Sequence, residues 1–318
     1  MYSYFIICLI SPIILFKKLP IFDFAFSNSP FLVDTIPVLW LKLFGKCKHW
    51  ILMMDSIVPH PKKRGGNNLL NHIVYLESII ITRLANLFAS LVFTVNLELE
   101  KEMRIRGISQ NIIVKSQNGL FLGKIRSVSK SKKNKSDAIY MGRISANKGI
   151  FDLLEAWKNI VHTYPKAKLI VMGTGMAEPI KEFRLTIKRK KLEDNVTYLG
   201  LIQSPQKYEI MKSSKMFIYL AKVNVDESWG ISLMEGLACG LPAISYDLKV
   251  YKNIYQTPAL IQIKSDNINL VTENIENLLA NSNKRSYLSM NAAHFTRKFD
   301  WNDIAQKDLL EIRKLLHI

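Results

Sequence analysis

Short apolar runs alternate with longer amphipathic stretches along this chain. The runs at 23–26, 49–53, 91–95 and 112–114 predict strands in the first part. Those at 138–141, 169–172, 196–199, 216–220, 243–246 and 260–263 predict strands in the second. Helical spacing fills the intervals at 32–43, 69–89 and 97–106. It also closes the chain over 301–316, where Ile304, Leu309 and Ile312 are expected to share an apolar face. Strands separated nearly throughout by helices predict an α/β fold with parallel sheets covered by helices on both faces. We expect two doubly wound, Rossmann-like domains facing a cleft. The boundaries expected are 1–123 for the first domain, 124–137 for a basic linker, 138–298 for the second domain and 299–318 for a closing helix. Asn118-Gly119 marks a turn, and the lysine- and serine-rich run from Lys124 to Lys135 has a linker's composition. The apolar start, 1–16, is interrupted by Pro12 and is shorter than the roughly 20 residues of a membrane span. It is expected to be a buried helix rather than a membrane anchor.

Composition narrows the picture. A hydrophobic content of 48% across 318 residues is ample for buried cores. Cys8, Cys47 and Cys239 are few and far apart, which fits a reducing, cytoplasmic compartment and neither a disulfide framework nor a metal site. The net charge is +18, with 19 Lys and Arg against 8 Asp and Glu before Ala138, and 25 against 18 after it. Such an excess attracts phosphorylated substrates, anionic lipid or nucleic acid. The basic run has no interleaved aromatic residues, and no nucleic-acid docking element is legible, so no nucleic-acid partner is expected. Peripheral contact with an anionic membrane remains compatible.

Three segments could carry chemistry. Glu227 and Glu235 bracket the stretch Glu227-Ser-Trp-Gly-Ile-Ser-Leu-Met-Glu235, between the apolar run at 216–220 and a helix beginning near Gly230. Ile231, Met234 and Ala238 are expected to form that helix's buried face, and Gly240 with Pro242 to end it. Both carboxylates then lie at the carboxyl end of a strand, where doubly wound sheets bind ligands. A helix amino terminus at Gly230, Ile231 and Ser232 offers N–H groups to a phosphate. An acid flanked by apolar residues, as Glu235 is, needs a partner. The first strand of the second domain runs into Gly142-Arg143 and then Lys148-Gly149, two cations able to reach one anion. Gly173-Thr174-Gly175 after the next strand could cradle a phosphate or make a tight turn. The bland alternatives are a solvated loop glutamate and a helix-surface glutamate, two surface cations in a loop, and, for the glycine pair, the tight turn, which is the favoured reading.

Taken in order, Gly142-Arg143, Lys148-Gly149, Val171-Met172-Gly173-Thr174-Gly175, the two-glutamate segment and Ala238-Cys239-Gly240-Leu241-Pro242 resemble the carboxyl-terminal domain of the retaining GT-B glycosyltransferases of family four. Phe299-Asp300-Trp301 is similar to that family too. More loosely, Met54-Asp55, Pro59-His60-Pro61 and Arg64 resemble its acceptor-side loop, with Asp55 and His60 as candidates.

The resemblance implies transfer of a sugar from a nucleotide-sugar donor, such as a UDP- or GDP-sugar, to a sugar or lipid-linked acceptor with retention of configuration. Arg143 and Lys148 would hold the donor diphosphate, Glu235 the ribose and Glu227 the donor sugar. Gly142, Gly173, Gly175, Gly230, Ile231 and Ser232 would border the donor. No Asp-x-Asp pair occurs, so a metal-independent site without a cofactor is expected. Trp229 stands where the family usually has Phe, and Gly236 where it usually has Ala. No glycine precedes Gly45, although the family's first domain opens with a glycine-rich loop. The first strand–loop–helix portion is therefore expected to be missing, and the alternative function is an inactive nucleotide-sugar-binding module.

Overall fold

A computed structural model describes residues 19–56, 58–63, 69–133, 135–222 and 227–316. The expected helix at 1–16 and the candidate Arg64 lie outside them. The chain forms two compact units, Met1–Asn118 with Ile304–Ile318, and Gly119–Asp303.

In the first unit, β1 (Phe22–Ser27), β2 (Cys47–Met54), β3 (Ala89–Thr94) and β4 (Ile113–Lys115) form a sheet in sequence order, parallel throughout. The connecting helices α1 (Leu32–Leu43), α2 (Leu69–Phe88) and α3 (Leu97–Ile105) are the ones expected from spacing. Alternation along β2 decides its two faces. Trp50, Leu52 and Met54 pack with Val38, Leu39, Ile81, Ala85 and Met103, whereas Ile51 packs on the other side with Phe93 and Ile312. The Trp50 indole donates to Ser27 Oγ at 2.7 Å, so its one polar atom is satisfied inside the core.

The second unit begins with the short helix α4 (Leu122–Arg126) and carries six parallel strands. These are β5 (Ser136–Met141), β6 (Leu169–Met172), β7 (Val196–Gly200), β8 (Ser214–Tyr219), β9 (Ala243–Tyr246) and β10 (Leu260–Ile263). Their spatial order is β10-β9-β8-β5-β6-β7. The central strands are covered on both faces, which is why β6 and β9 are buried along their whole length. Helices α5 (Ile150–Thr163), α6 (Ala177–Arg189), α7 (Gln206–Lys212), α8 (Ile231–Ala238), α9 (Lys249–Ile254), α10 (Ile268–Ala280) and α11 (Ser282–Phe295) follow in turn. The strand order reverses between β5 and β8. In such a sheet the crevice at the carboxyl ends of those two strands is the binding position.

Three expectations are corrected. The segment 124–137 is no bare linker. Its carbonyls accept from α7 and the residue after it, with Lys212 Nζ on Val128 O at 2.6 Å and Ser213 Oγ on Ser131 O at 3.0 Å. Charged composition concealed a segment held through its backbone. The closing helix α12 (Trp301–Leu316) passes from the second unit into the first at Ile304. At its start, Leu120 N donates to Phe299 O and Trp301 N to Leu120 O, tying together the two segments that cross between units. Within α12, Ile304 and Ile312 are buried but Leu309 is 42% exposed. Asp308 takes the inward position and accepts from Ser116 Oγ at 2.6 Å.

Gly236 has a packing reason to be glycine. A Cβ there would lie 2.6 Å from Phe217 Cγ and 3.0 Å from its Cβ, because α8 presses directly on β8. Gly236→Ala should therefore lose about 1–3 kcal/mol of stability through overpacking. That loss outweighs a helix-propensity gain of at most about 1 kcal/mol. Urea unfolding measures the balance; an unchanged or higher midpoint would mean that Phe217 gives way.

Candidate functional site

The loops after β5 and β6 lie backbone against backbone. Gly142 N donates to Met172 O at 3.1 Å and Ile144 N to Thr174 O at 2.9 Å. A Cβ on Gly173 would stand 1.9 Å from Gly142 O, and one on Gly175 would stand 2.6 Å from Ile144 O. Gly173 and Gly175 are thus required by the approach of the two loops. A Cβ on Gly142 would meet the Tyr219 ring at 2.9 Å. Gly149 caps α5 at φ +71°, and a Cβ there would meet Leu220 O at 1.9 Å. These contacts force the residue before Gly149, which is Lys148, against the end of β8.

Lys148 is 6% exposed and Glu227 is 7% exposed, and they form a salt bridge. The Glu227 oxygen on that bridge, Oε1, also accepts from the Tyr219 hydroxyl at 2.9 Å. Tyr219 stacks on Tyr140, whose hydroxyl donates to Arg143 O at 2.8 Å. Arg143 is exposed beside this cluster. Its positive charge pulls the ionisation of Tyr140 and Tyr219 downward, but burial and then Glu227 dominate, so both tyrosines lie above their ordinary value. The structure therefore brings Arg143, Lys148 and Glu227 together at the strand-order reversal. Lys148 and Glu227 face each other there, whereas the sequence treated them as separate contacts.

Glu235 has partners, as an acid in apolar surroundings must. Its Oε1 accepts from Lys207 Nζ at 2.6 Å and from the Tyr208 hydroxyl at 2.7 Å, which leaves Oε2 outside these bonds. Of the face expected from Ile231, Met234 and Ala238, Met234 is buried, Ala238 is half-buried and Ile231 is 45% exposed, and the buried residues are Leu233 to Leu237. The helix begins after Gly230 at φ +75° with no side-chain cap, so its first N–H groups are unclaimed by a capping residue. The carbonyls of Trp229 and Gly230 are held from below by the Tyr255 hydroxyl at 2.8 and 2.9 Å. Trp229 packs edge-on against Phe299.

Sequence reasoning missed Tyr140, Lys207, Tyr208, Tyr219 and Tyr255. They come from other strands and helices, so no local spacing links them to the glutamates. Asp55 and His60 belong to the first unit. Asp55 follows β2, and His60 packs edge-on against Tyr75. Arg106 braces that segment by donating to Val58 O at 2.8 Å and Ser78 Oγ at 3.0 Å. Among the described residues, no three His, Cys, Asp or Glu side chains are grouped to hold a metal ion. No helix among them is long and apolar enough to cross a membrane.

Two parallel-sheet, Rossmann-like units with this switch-point site define a protein of the GT-B class. A solved structure of Anabaena HepE in complex with UDP and glucose matches with a TM-score of 0.76 at 17% identity, over 92% of this chain and 78% of that one. The chain belongs to the glycosyl transferases group 1 family, whose family model matches residues 123–295. It is 29% identical over 178 residues to an uncharacterized glycosyltransferase of Methanocaldococcus jannaschii, covering 56% of this chain and 39% of the relative. It is 23% identical over 171 residues to the phosphatidyl-myo-inositol mannosyltransferase of Mycobacterium leprae, covering 53% and 44% respectively. The chain thus spans less than half the length of these curated relatives.

The buried tyrosines give the site a pH signature. Burial raises Tyr140, Tyr208, Tyr219, Tyr246, Tyr251 and Tyr255 above the unfolded value near 10. Groups raised in the folded state support it fully below the unfolded pKa and withdraw that support as pH rises toward the folded one. Their contribution to stability should hold up to about pH 10 and then fall. Urea unfolding followed against pH, with tyrosinate absorbance alongside, checks this. Ionisation of all tyrosines near pH 10 without unfolding would contradict it.

Proposed function

We propose that the second unit binds a nucleotide sugar at the Lys148–Glu227 pair, and that the protein transfers the sugar to a sugar or lipid-linked acceptor with retention of configuration. The observation that carries this reading is a buried cation–carboxylate pair at the strand-order reversal, with the exposed Arg143 beside it. A paired lysine in a buried site can shift from a carboxylate to an incoming phosphate at little desolvation cost, since its charge is already accommodated. Arg143 and Lys148 would then hold the diphosphate and stabilise the charge that develops on the departing nucleotide. Glu227 would take the donor sugar. Glu235, anchored through Oε1, would take the ribose hydroxyls. The first N–H groups of α8, at Ile231 and Ser232, would meet phosphate or sugar oxygens. Two cations in place of a divalent ion make a metal-independent reaction coherent.

Calorimetry with UDP, GDP and their sugars in the presence of a chelator tests the assignment. Arg143→Ala and Lys148→Ala should both weaken the nucleoside diphosphates. The loss of one such charge-stabilising group is expected to lower turnover about a hundred- to a thousandfold. Glu235→Ala should weaken diphosphate and sugar-bearing donor alike, whereas Glu227→Gln should selectively weaken the sugar-bearing donor. Glutamine is the better change at 227, because it removes the charge but keeps the shape and an oxygen that can accept from the Tyr219 hydroxyl. Equal affinities across all variants and the parent would remove the assignment. Released product from a nucleotide-sugar panel separates a transferase from a module that only binds.

We further propose that the first unit rests on an anionic membrane at the cytoplasmic face. Leu69, Ile73, Leu76, Ile80 and Leu87 form an exposed apolar stripe on α2. It is interrupted only by the exposed Arg83, and the helix's single carboxylate, Glu77, is turned inward to Leu32 N. Apolar insertion and attraction of cations by anionic lipid would act together there. Sedimentation with anionic phospholipid vesicles should capture the parent, weaken with salt, and fail for Leu76→Glu combined with Ile80→Glu. Capture of parent and variant alike would place the contact elsewhere.

A further inference from the structure

One residue holds the chain on both sides of Lys148. Lys222 lies just past β8, and its backbone N–H donates to Asn147 O at 2.9 Å, on the residue immediately before Lys148. Its ammonium reaches past Lys148 to the first turn of α5, where it meets Asp152 Oδ2 at 2.7 Å. Between these two points Gly149 lies against Leu220, so closely that a Cβ on Gly149 would stand 1.9 Å from Leu220 O. The stretch 220–222 therefore grips the chain at 147, 149 and 152, and Lys148 stands inside that grip.

The side-chain half of the grip is a network drawn from four parts of the sheet's carboxyl edge. The Asp152 side chain is only 14% exposed, and its Oδ2 also accepts from the Tyr246 hydroxyl, at the end of β9, at 2.6 Å. The Lys222 ammonium meets Asp266 Oδ1 at 2.9 Å as well, in the loop after β10, but that carboxylate is 72% exposed. Burial pulls the Lys222 pKa down, and the bonds to Asp152 and Asp266 outweigh it and lift the pKa above the ordinary lysine value. A largely buried carboxylate bonded by a cation and a phenol is held in place, whereas an exposed ion pair contributes little. With two carboxylates on it, the Lys222 ammonium is committed as an anchor. Placement matters for Lys148, because a buried ammonium reaches only what its backbone position allows, and a site held loosely by its supporting residues loses its geometry.

We propose that Lys222 is a positioning residue for the donor site: through Asn147 and Asp152 it fixes the backbone of Lys148 where the Lys148 ammonium reaches a diphosphate. The proposal rests on the reading of Lys148 as a diphosphate ligand. Lys222 acts through Lys148 and does not touch the substrate. Asp152 and Tyr246 serve the same end one step further out.

Lys222→Met deletes the ammonium and keeps the backbone N–H on Asn147. Asp152→Asn keeps an acceptor for the Tyr246 hydroxyl and removes the charge that holds the ammonium. Calorimetry with UDP and GDP should show each change lowering affinity about tenfold for the nucleotide the parent binds, a size within the range for coupled neighbours. Asp266→Asn should stay within about twofold of the parent, as the exposed arm of the network carries little. In a Lys148→Ala background, Lys222→Met should cost almost no further affinity. An equal loss from Lys222→Met in both backgrounds would show that Lys222 meets the phosphate itself or only supports the fold, and would overturn the proposal. A loss in Asp266→Asn as large as in Asp152→Asn would reduce the effect to general charge attraction and overturn it too. Parent-like affinity in Lys222→Met beside a weakened Lys148→Ala removes the positioning role alone. If Lys148→Ala is itself parent-like, or the parent binds neither nucleotide, the reading of the site has failed and the positioning role falls with it.

Discussion

The buried pair of Lys148 and Glu227 is the constraint around which the second unit is arranged. Two opposite charges can be held away from water only if their geometry is good and their remaining polar capacity is met. Every element at the strand-order reversal contributes to that. β5 and the cap at Gly149 deliver the lysine, β8 delivers the Tyr219 hydroxyl, and the turn before α8 delivers the carboxylate. Tyr255, just past α9, holds that turn from beneath, and the Tyr251 ring of α9 packs against Gly230.

The glycines serve the same arrangement through their lack of a side chain. Gly142, Gly173 and Gly175 let two loops touch through their backbones, and Gly149 lets the start of α5 reach β8. A glycine pair after a strand is easily read as a phosphate cradle. Here its first task is steric, and it fixes where Arg143 and Lys148 emerge. Gly236 does the same for α8 against Phe217, so a residue that looks like a weakness in a helix is a condition of close packing.

Each unit holds buried carboxylates against cations, Glu100 with Arg104 and Lys115 in the first and Glu227 and Glu235 with lysines in the second. In the second, two carboxylates that are mostly buried hold lysines, with Lys207 on Glu235 and Lys222 on Asp152, and Lys222 also reaches the exposed Asp266. Lys222 N also donates to Asn147 O, so the segment after β8 is tied to the loop that carries Lys148. In the first unit the notable surface is apolar, along α2, with a single arginine in the stripe.

The sequence by itself determined the α/β class, every described strand to within about two residues, as boundaries allow, and the long helices. Alternation and helical spacing are local signals, and fully buried parallel strands read as continuous apolar runs. It also marked Arg143, Lys148, Glu227 and Glu235 by their places after strands. Tertiary structure decided the rest. The pairing of Lys148 with Glu227 joins residues 79 positions apart, and the Lys207 and Tyr208 donors to Glu235 come from another helix. The docking of the basic segment 124–133 goes through backbone carbonyls that composition does not reveal. The inward turn of Asp308 in place of Leu309 follows from an acceptor bond to Ser116 in a distant strand-end loop. Periodicity ranks positions on one element. Which residue meets which across elements depends on the order of strands in the sheet, and that order is set by packing of the whole chain.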